Sequence, residues 1–462
     1  MKSIFLIINN IALKTLLTLV VFAMLFSSCE KDDEGVGPIS ITNVYLQDAE
    51  SAVQDRAVTF ARQGQLIRVE GTGFTGLKRV YINGLKAYFN PVLVSENSML
   101  VSVPRNTPIV DAEPGVRNTI RFENDNYTSI FEIEIRAAVP VITSISNTLP
   151  LAGETITVYG TGLLEVNKVV FPGDVTVADG IISDEDGEFF TVTVPEGVSD
   201  EGGSLLIECA NGGAYSPAYF NFKAGVILNF DGIGQHGFWG SATSMITADD
   251  LVAASVGTGN VSQGTYVAHR PSRITSFDPA TFRCSEVWTA GNDVDDWRGQ
   301  ITPYIPASTP VNEVAFQFDI YVPNEWAGSG FLKVCLYNSF NGGEWSGNVY
   351  NYVPWVVDGE IKPFKTEGWT TVTVPFSEFY GFSDSEGGYT FEDVLAAREA
   401  SSYKNFGIYF ENGDFTLENI TGNSADSETE FPSAITSVDV FTDNWRIVSL
   451  ATPVYSDFPD TE

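Results

Sequence analysis

The chain has 462 residues, 44% of them hydrophobic, which is enough for two to four domains with real cores. Its formal net charge is −34, or −36 once Lys2 and Lys14 leave with a leader segment. So acidic a chain excludes nucleic acid, whose affinity depends on Lys and Arg neutralising phosphate, and disfavours polyanionic glycans; a neutral partner fits best.

Lys2 and Lys14 precede an apolar run from Leu16 to Phe26, too short and too early for an ordinary membrane span. It ends in Leu25-Phe26-Ser27-Ser28-Cys29, small residues directly before a cysteine. This resembles a bacterial lipobox, which implies that residues 1–28 are a lipoprotein signal peptide and that Cys29 is lipidated. Residues 29–37 follow as the lipidated Cys and an acidic tether containing Glu30-Lys31-Asp32-Asp33-Glu34. That tract resembles the surface-export signal of Bacteroidetes-type lipoproteins. The implied location is the outer membrane, lipid-anchored and facing the exterior, since lipid chains hold a protein without spanning the bilayer.

Beyond the leader the chain reads as β. Runs such as Phe189–Val194 and Thr370–Val374 alternate between Gly-, Pro-, Asn- and Asp-rich turns. Helical periodicity is convincing almost only at Phe391–Ala400, where Thr390 is the expected cap and Asp393 follows three residues on. With Cys29 lipidated, three cysteines remain. Cys209 reads as a buried, inert thiol, and nothing in the spacing of Cys284 and Cys335 requires a disulfide.

An internal repeat occupies the first half. Gly64–Phe74 (GQLIRVEGTGF) recurs as Gly153–Leu163 (GETITVYGTGL), displaced by 89 residues, and Val80, Ile82 and Gly84 match Val169, Phe171 and Gly173. Val101-Ser102-Val103-Pro104 answers Val192-Thr193-Val194-Pro195, and a Pro there ends each strand. Units of this size and pattern suggest immunoglobulin-like sandwiches. Pro140–Ile145, Gly153…Gly162 and Val194-Pro195-Glu196-Gly197 resemble an IPT/TIG domain over residues 138–224. Residues 38–137 form the expected first copy, with an insertion near residues 46–61.

All eight tryptophans lie beyond residue 225. Trp445 shares a strand face with Ile447, and Trp369 opens an alternating strand, so both read as core; Trp326 is open between core and cleft. Trp297 sits in Gly291–Gly299 and Trp345 in Asn341–Asn348, polar stretches that suit a ring facing a ligand. Tyr350 and Tyr352 share one strand face with Trp355 on the other, and Trp288 and Trp239 complete the candidates. An indole face is negative by its quadrupole, so it attracts the axial C–H face of a pyranose without any charge on the ligand. Asn292, Asp296, Arg298, Glu344 and Asn348 are placed to bond sugar hydroxyls, although Arg298 pairs equally well with Asp295 or Asp296.

Residues 225–462 open with Val226–Asp231, carry Gly368-Trp369…Val374-Pro375 centrally and close with Asp443-Asn444-Trp445-Arg446-Ile447-Val448. That order resembles the glycan-binding domain of Bacteroidetes surface glycan-binding proteins, and the whole layout is similar to their xyloglucan-binding B type. The resemblance implies an all-β chain: two tandem immunoglobulin-like sandwiches, then a C-terminal jelly-roll-like glycan-binding domain at 225–462. It also implies non-catalytic capture of a neutral polysaccharide, a β-glucan or xyloglucan, for an outer-membrane glycan transporter and surface hydrolases of one uptake system.

Other classes find less support. GxSxG, HExxH and phosphate-loop motifs are missing, and a Glu-x-Asp-x-Glu pattern falls only in the tether, so a glycoside hydrolase is the weaker alternative. An adhesin whose Trp-rich face binds a protein is the other. No cofactor is expected; Asp231 and Asp443 are the positions at which a structural calcium would be sought.

Overall fold

A computed structural model describes residues 37–47, 56–236, 245–253, 264–274, 283–289, 296–328, 330–336, 348–401, 404–422, 424–432 and 438–452. The described residues divide between Ala138 and Val139 into two compact units.

In the first unit, Leu66–Thr72 pairs with Ser40–Leu46 on one side and Ser98–Ser102 on the other. The facing sheet runs Leu85–Ala87, Arg79–Ile82, Thr119–Glu123, Thr128–Glu132. Alternate residues turn inward, so Ile67, Val69, Val80, Ile82, Met99, Val101, Ile120 and Phe122 form one core.

The repeat in the second unit builds the same sandwich. Val141–Ile145, Thr155–Thr161, Phe189–Thr193 and Ile182–Ser183 face Val175–Val177, Lys168–Phe171, Leu206–Cys209 and Gly212–Tyr215. The shared Gly-Thr-Gly now has a cause. At Gly160 a Cβ would meet Val141 O at 1.9 Å, and at Gly71 it would meet Ser40 O at 2.0 Å. In each copy the first strand is bulged and crowds the glycine. Gly160→Ala is expected to destabilise the second unit by about 2 kcal/mol, read as a lower denaturation midpoint.

The remainder of the second unit is a larger sandwich. One sheet runs Leu251–Val252, Tyr266–His269, Val440–Ser449, Val314–Tyr321, Thr370–Pro375, with Val226–Leu228 also on Val440–Ser449. The other runs Arg283–Trp288, Phe406–Glu411, Phe331–Leu336, Val349–Tyr352. The chain is thus all-β, and its main helix, Phe391–Ala400, is capped as its sequence requires: Asp393 Oδ2 accepts from Thr390 N at 2.8 Å. Two four-residue helical turns, Arg298–Ile301 and Glu418–Thr421, were not anticipated. Trp445, Trp369 and Trp326 are all buried. Cys209, Cys284 and Cys335 are buried, and none of them forms a disulfide.

His269 links the two sheets. Its Nδ1 lies 2.9 Å from Ser285 Oγ and its Nε2 3.0 Å from Thr442 Oγ1. Desolvation pushes its pKa down to about 4. The unfolded chain takes up this proton near the ordinary pKa of about 6.5, so the stabilisation is full above that pH and drains as pH falls toward 4. At pH 4.5 the loss is about 2 kcal/mol. His269→Gln should flatten that part of the stability–pH curve, measured by denaturant unfolding.

The second immunoglobulin-like sandwich and the terminal sandwich are packed into one body. Ala315 and Val448, on terminal strands, are buried in the core of the second sandwich. Thr371 N and Thr370 Oγ1 both donate to Ser146 O, at 2.7 and 2.6 Å. At the centre lies Arg446, fully buried. Its guanidinium donates to Asp319 Oδ1 at 2.8 Å, Gln317 Oε1 at 2.9 Å, Thr371 Oγ1 at 2.9 Å and Thr148 Oγ1 at 2.8 Å. The change of sequence pattern near residue 225 is therefore no seam in the packing.

Candidate functional site

The indoles expected to lie open are turned inward wherever they are described. Trp297 is 4% exposed; its ring stacks near Phe391, meets Phe406 edge-on at 5.4 Å and lies under the Arg398 guanidinium. Trp288 is also 4% exposed and donates through Nε1 to Glu286 Oε2 at 2.9 Å. Gly407 leaves room for it, since a Cβ there would sit 1.9 Å from the indole. Trp355 is fully buried in a cluster with Phe415 and Phe431, which also meet each other, and donates to Gly330 O at 3.2 Å. A ring enclosed on both faces presents no bed to a sugar, so the expectation for these three is corrected. Trp239, Trp345 and Cys29, with Asn292 and Glu344, lie outside the described residues.

Asp296 and Arg298 are engaged with each other rather than open for a ligand. Arg298 Nε donates to Asp296 Oδ1 at 2.8 Å, and its Nη1 reaches Glu399 Oε1 at 2.8 Å. The hydrogen bond from Arg298 holds the Asp296 carboxyl well down, to about 2. These residues line a groove without aromatic walls, together with Gly299, Thr302 and Ala396.

An aromatic groove among the described residues lies elsewhere. A depression of about 430 Å³ is walled by Tyr350 and Tyr380, with Asn351, Glu378 and Asn419 among its polar lining. Its position follows from the edge strand Val349–Tyr352 and from two 3-10 turns, Phe376–Glu378 and Tyr380–Phe382. A 3-10 turn repeats every three residues, so Phe376, Phe379 and Phe382 share one buried face. Tyr380 falls off that face and stands 60% exposed. Tyr350 is half-buried against Phe379, while Tyr352 turns into the core against Phe318 and Phe364.

The polar groups suit hydroxyls. Asn351 Oδ1 is buried and has no hydrogen-bond partner among the described residues. Asn419 Oδ1 accepts from Thr416 N and Oγ1, at 2.8 and 3.1 Å, which orients the amide and leaves Nδ2 as a donor. Burial, and then the Glu378 carboxylate, raise the Tyr350 pKa, so the group stays a neutral phenol at physiological pH. Tyr380 and Asn351 were missed from sequence. The three-residue phenylalanine spacing was the available signal for Tyr380.

A metal has no assembled site here: no group of three or more His, Cys, Asp or Glu residues able to hold one occurs among the described residues. Asp231 accepts from Thr265 N, and Asp443 Oδ1 from Asn444 N.

Comparison with known proteins agrees with this architecture. Residues 220–449 match the family described as surface glycan-binding protein B xyloglucan binding domain. A curated IPT/TIG domain-containing protein of Bacteroides ovatus is 22% identical, covering 83% of this chain and 94% of its own. The crystal structure of the surface glycan-binding protein PbSGBP-B of Prevotella bryantii superposes with a TM-score of 0.55 at 17% identity, covering 90% of this chain and 99% of that one. A protein described as SGBP-B from a complex xyloglucan utilization locus of Bacteroides uniformis gives a TM-score of 0.45 at 17% identity, covering 89% of this chain and all of that one.

Proposed function

Because residues 220–449 belong to the surface glycan-binding protein B xyloglucan-binding family, we propose that this chain captures a neutral β-glucan or xyloglucan-type hemicellulose at the cell surface without cleaving it. The family match is the observation that carries the reading. The chain's charge of −34 supports it, because stacking on tyrosine or tryptophan needs no charge on the sugar. In this reading Tyr350 and Tyr380 flank one part of the glycan path and Asn419 donates to a sugar hydroxyl. Trp239 and Trp345 stay in the proposal as further stacking rings.

Cys29 carries the lipid that fixes the protein to the outer membrane, facing outward. A neighbouring outer-membrane transporter and surface hydrolases receive the captured polymer. Single-site binding need not be tight, since many anchored copies raise avidity on a long chain without new contacts. Incubation with xyloglucan followed by a reducing-end assay separates capture from hydrolysis. Capture predicts binding in a pull-down with no new reducing ends; release of ends would make the chain a hydrolase, and neither result would leave the adhesin reading.

A further inference from the structure

The first unit has two distinct ends. Gly37 arrives beside Asn124, whose Nδ2 donates to Gly37 O at 3.4 Å, and Pro38 lies against Gly73. The strand registers place Thr72, Arg79, Ala87, Ser98, Glu123 and Thr128 at this leading pole. The chain leaves at the opposite pole, where Ala138 N donates to Gln63 Oε1 at 3.2 Å.

The leading pole carries the apolar protrusion Tyr88–Leu93, built on the 3-10 turn Pro91–Leu93. Val92 is 86% exposed, Tyr88 78% and Leu93 52%, an unusual cost for three large apolar side chains within six residues. Tyr127 is exposed at the same end. Charge singles out the same unit. Residues 38–138 hold ten Lys and Arg against eleven Asp and Glu, whereas the residues beyond hold twelve against forty-four. Only the first unit is close enough to neutral to approach an anionic surface.

We propose that the leading pole of the first unit is a lipid-docking surface, with Tyr88, Val92 and Leu93 entering the headgroup layer of the membrane. The occupant follows from the chain outside the structure. Seven residues lie between Cys29 and Gly37, and the eight steps from one to the other span about 28 Å when fully extended, so a lipid on Cys29 keeps this pole within reach of the bilayer. The inference thus rests on the reading of Cys29 as the anchor. An aromatic ring with a polar tip and two aliphatic side chains suit the boundary between headgroups and acyl chains.

The test uses the mature chain with a hexahistidine segment in place of Cys29, bound to a nickel-chelating lipid in phosphatidylethanolamine–phosphatidylglycerol vesicles. An environment-sensitive dye is placed through Val92→Cys, or through Val110→Cys at the opposite pole, where Val110 is 79% exposed. Cys209, Cys284 and Cys335 are buried, so the introduced thiol takes the label. Docking predicts a blue shift and quenching by nitroxide lipids at position 92 and neither at 110. In the unanchored chain, V92E with L93E should lower vesicle affinity about tenfold. Identical, water-like signals at 92 and 110 would overturn the proposal and leave the protrusion to a protein partner. Since the nickel lipid replaces the natural anchor, that failure is separate from a failure of lipidation, which palmitate incorporation at Cys29 reads in cells.

Discussion

Replacing Arg446 with methionine lowers the stability of the 139–462 body by about 3–5 kcal/mol, enough to unfold a large share of it at growth temperature. The magnitude follows from what is left behind. Asp319 is 3% exposed and Gln317 fully buried, and both lose their cationic partner without gaining access to water. Breaking one member of a buried ion pair costs more than the pair contributes, because the other charge stays desolvated. Thr148→Val removes a single neutral acceptor and should cost only about 1 kcal/mol. The same network predicts the behaviour of fragments. A chain cut to 225–462 loses Thr148 and the apolar surface that covers Ala315 and Val448, so it should unfold at lower denaturant than 139–462. Equal midpoints for the two fragments would show that the second sandwich is mere attachment.

The combined change Tyr350→Ala and Tyr380→Ala removes both walls of the aromatic groove. Loss of two stacking faces costs about 3 kcal/mol of binding, roughly a hundredfold in Kd for a xyloglucan oligosaccharide. Tyr380 is mostly exposed, so Tyr380→Ala alone should bind more weakly while melting normally. Tyr350→Phe keeps the ring and removes the hydroxyl, separating stacking from hydrogen bonding. Unchanged affinity in the double variant would move the glycan away from this groove.

The scaffold was readable because its signals are local and repeated. Gly71 and Gly160 mark the same crowded bulge, Thr390 and Asp393 mark one helix start, and alternation along Thr370–Val374 marks a strand. The binding rings were harder because the polarity of a stretch reports on the backbone and its neighbours, not on where a large ring points. Asp296 and Arg298 do face water beside Trp297, yet the turn Arg298–Ile301 lets the indole fold back onto Phe391 and Phe406. Trp355 shows the same inversion beside the exposed hairpin Val356–Ile361. The weld through Arg446 was invisible for another reason. Thr148 and Arg446 are 298 residues apart, and no periodicity reports a contact of that range. Arg446 had been legible only as part of a closing-strand motif.

Native gel electrophoresis of the mature chain through soluble polysaccharide puts the capture reading to its most direct trial. Xyloglucan or a mixed-linkage β-glucan in the gel should slow the protein, and a uronate-rich polysaccharide at the same concentration should not. Unaltered mobility in every neutral hemicellulose, with the protein folded, would contradict the account.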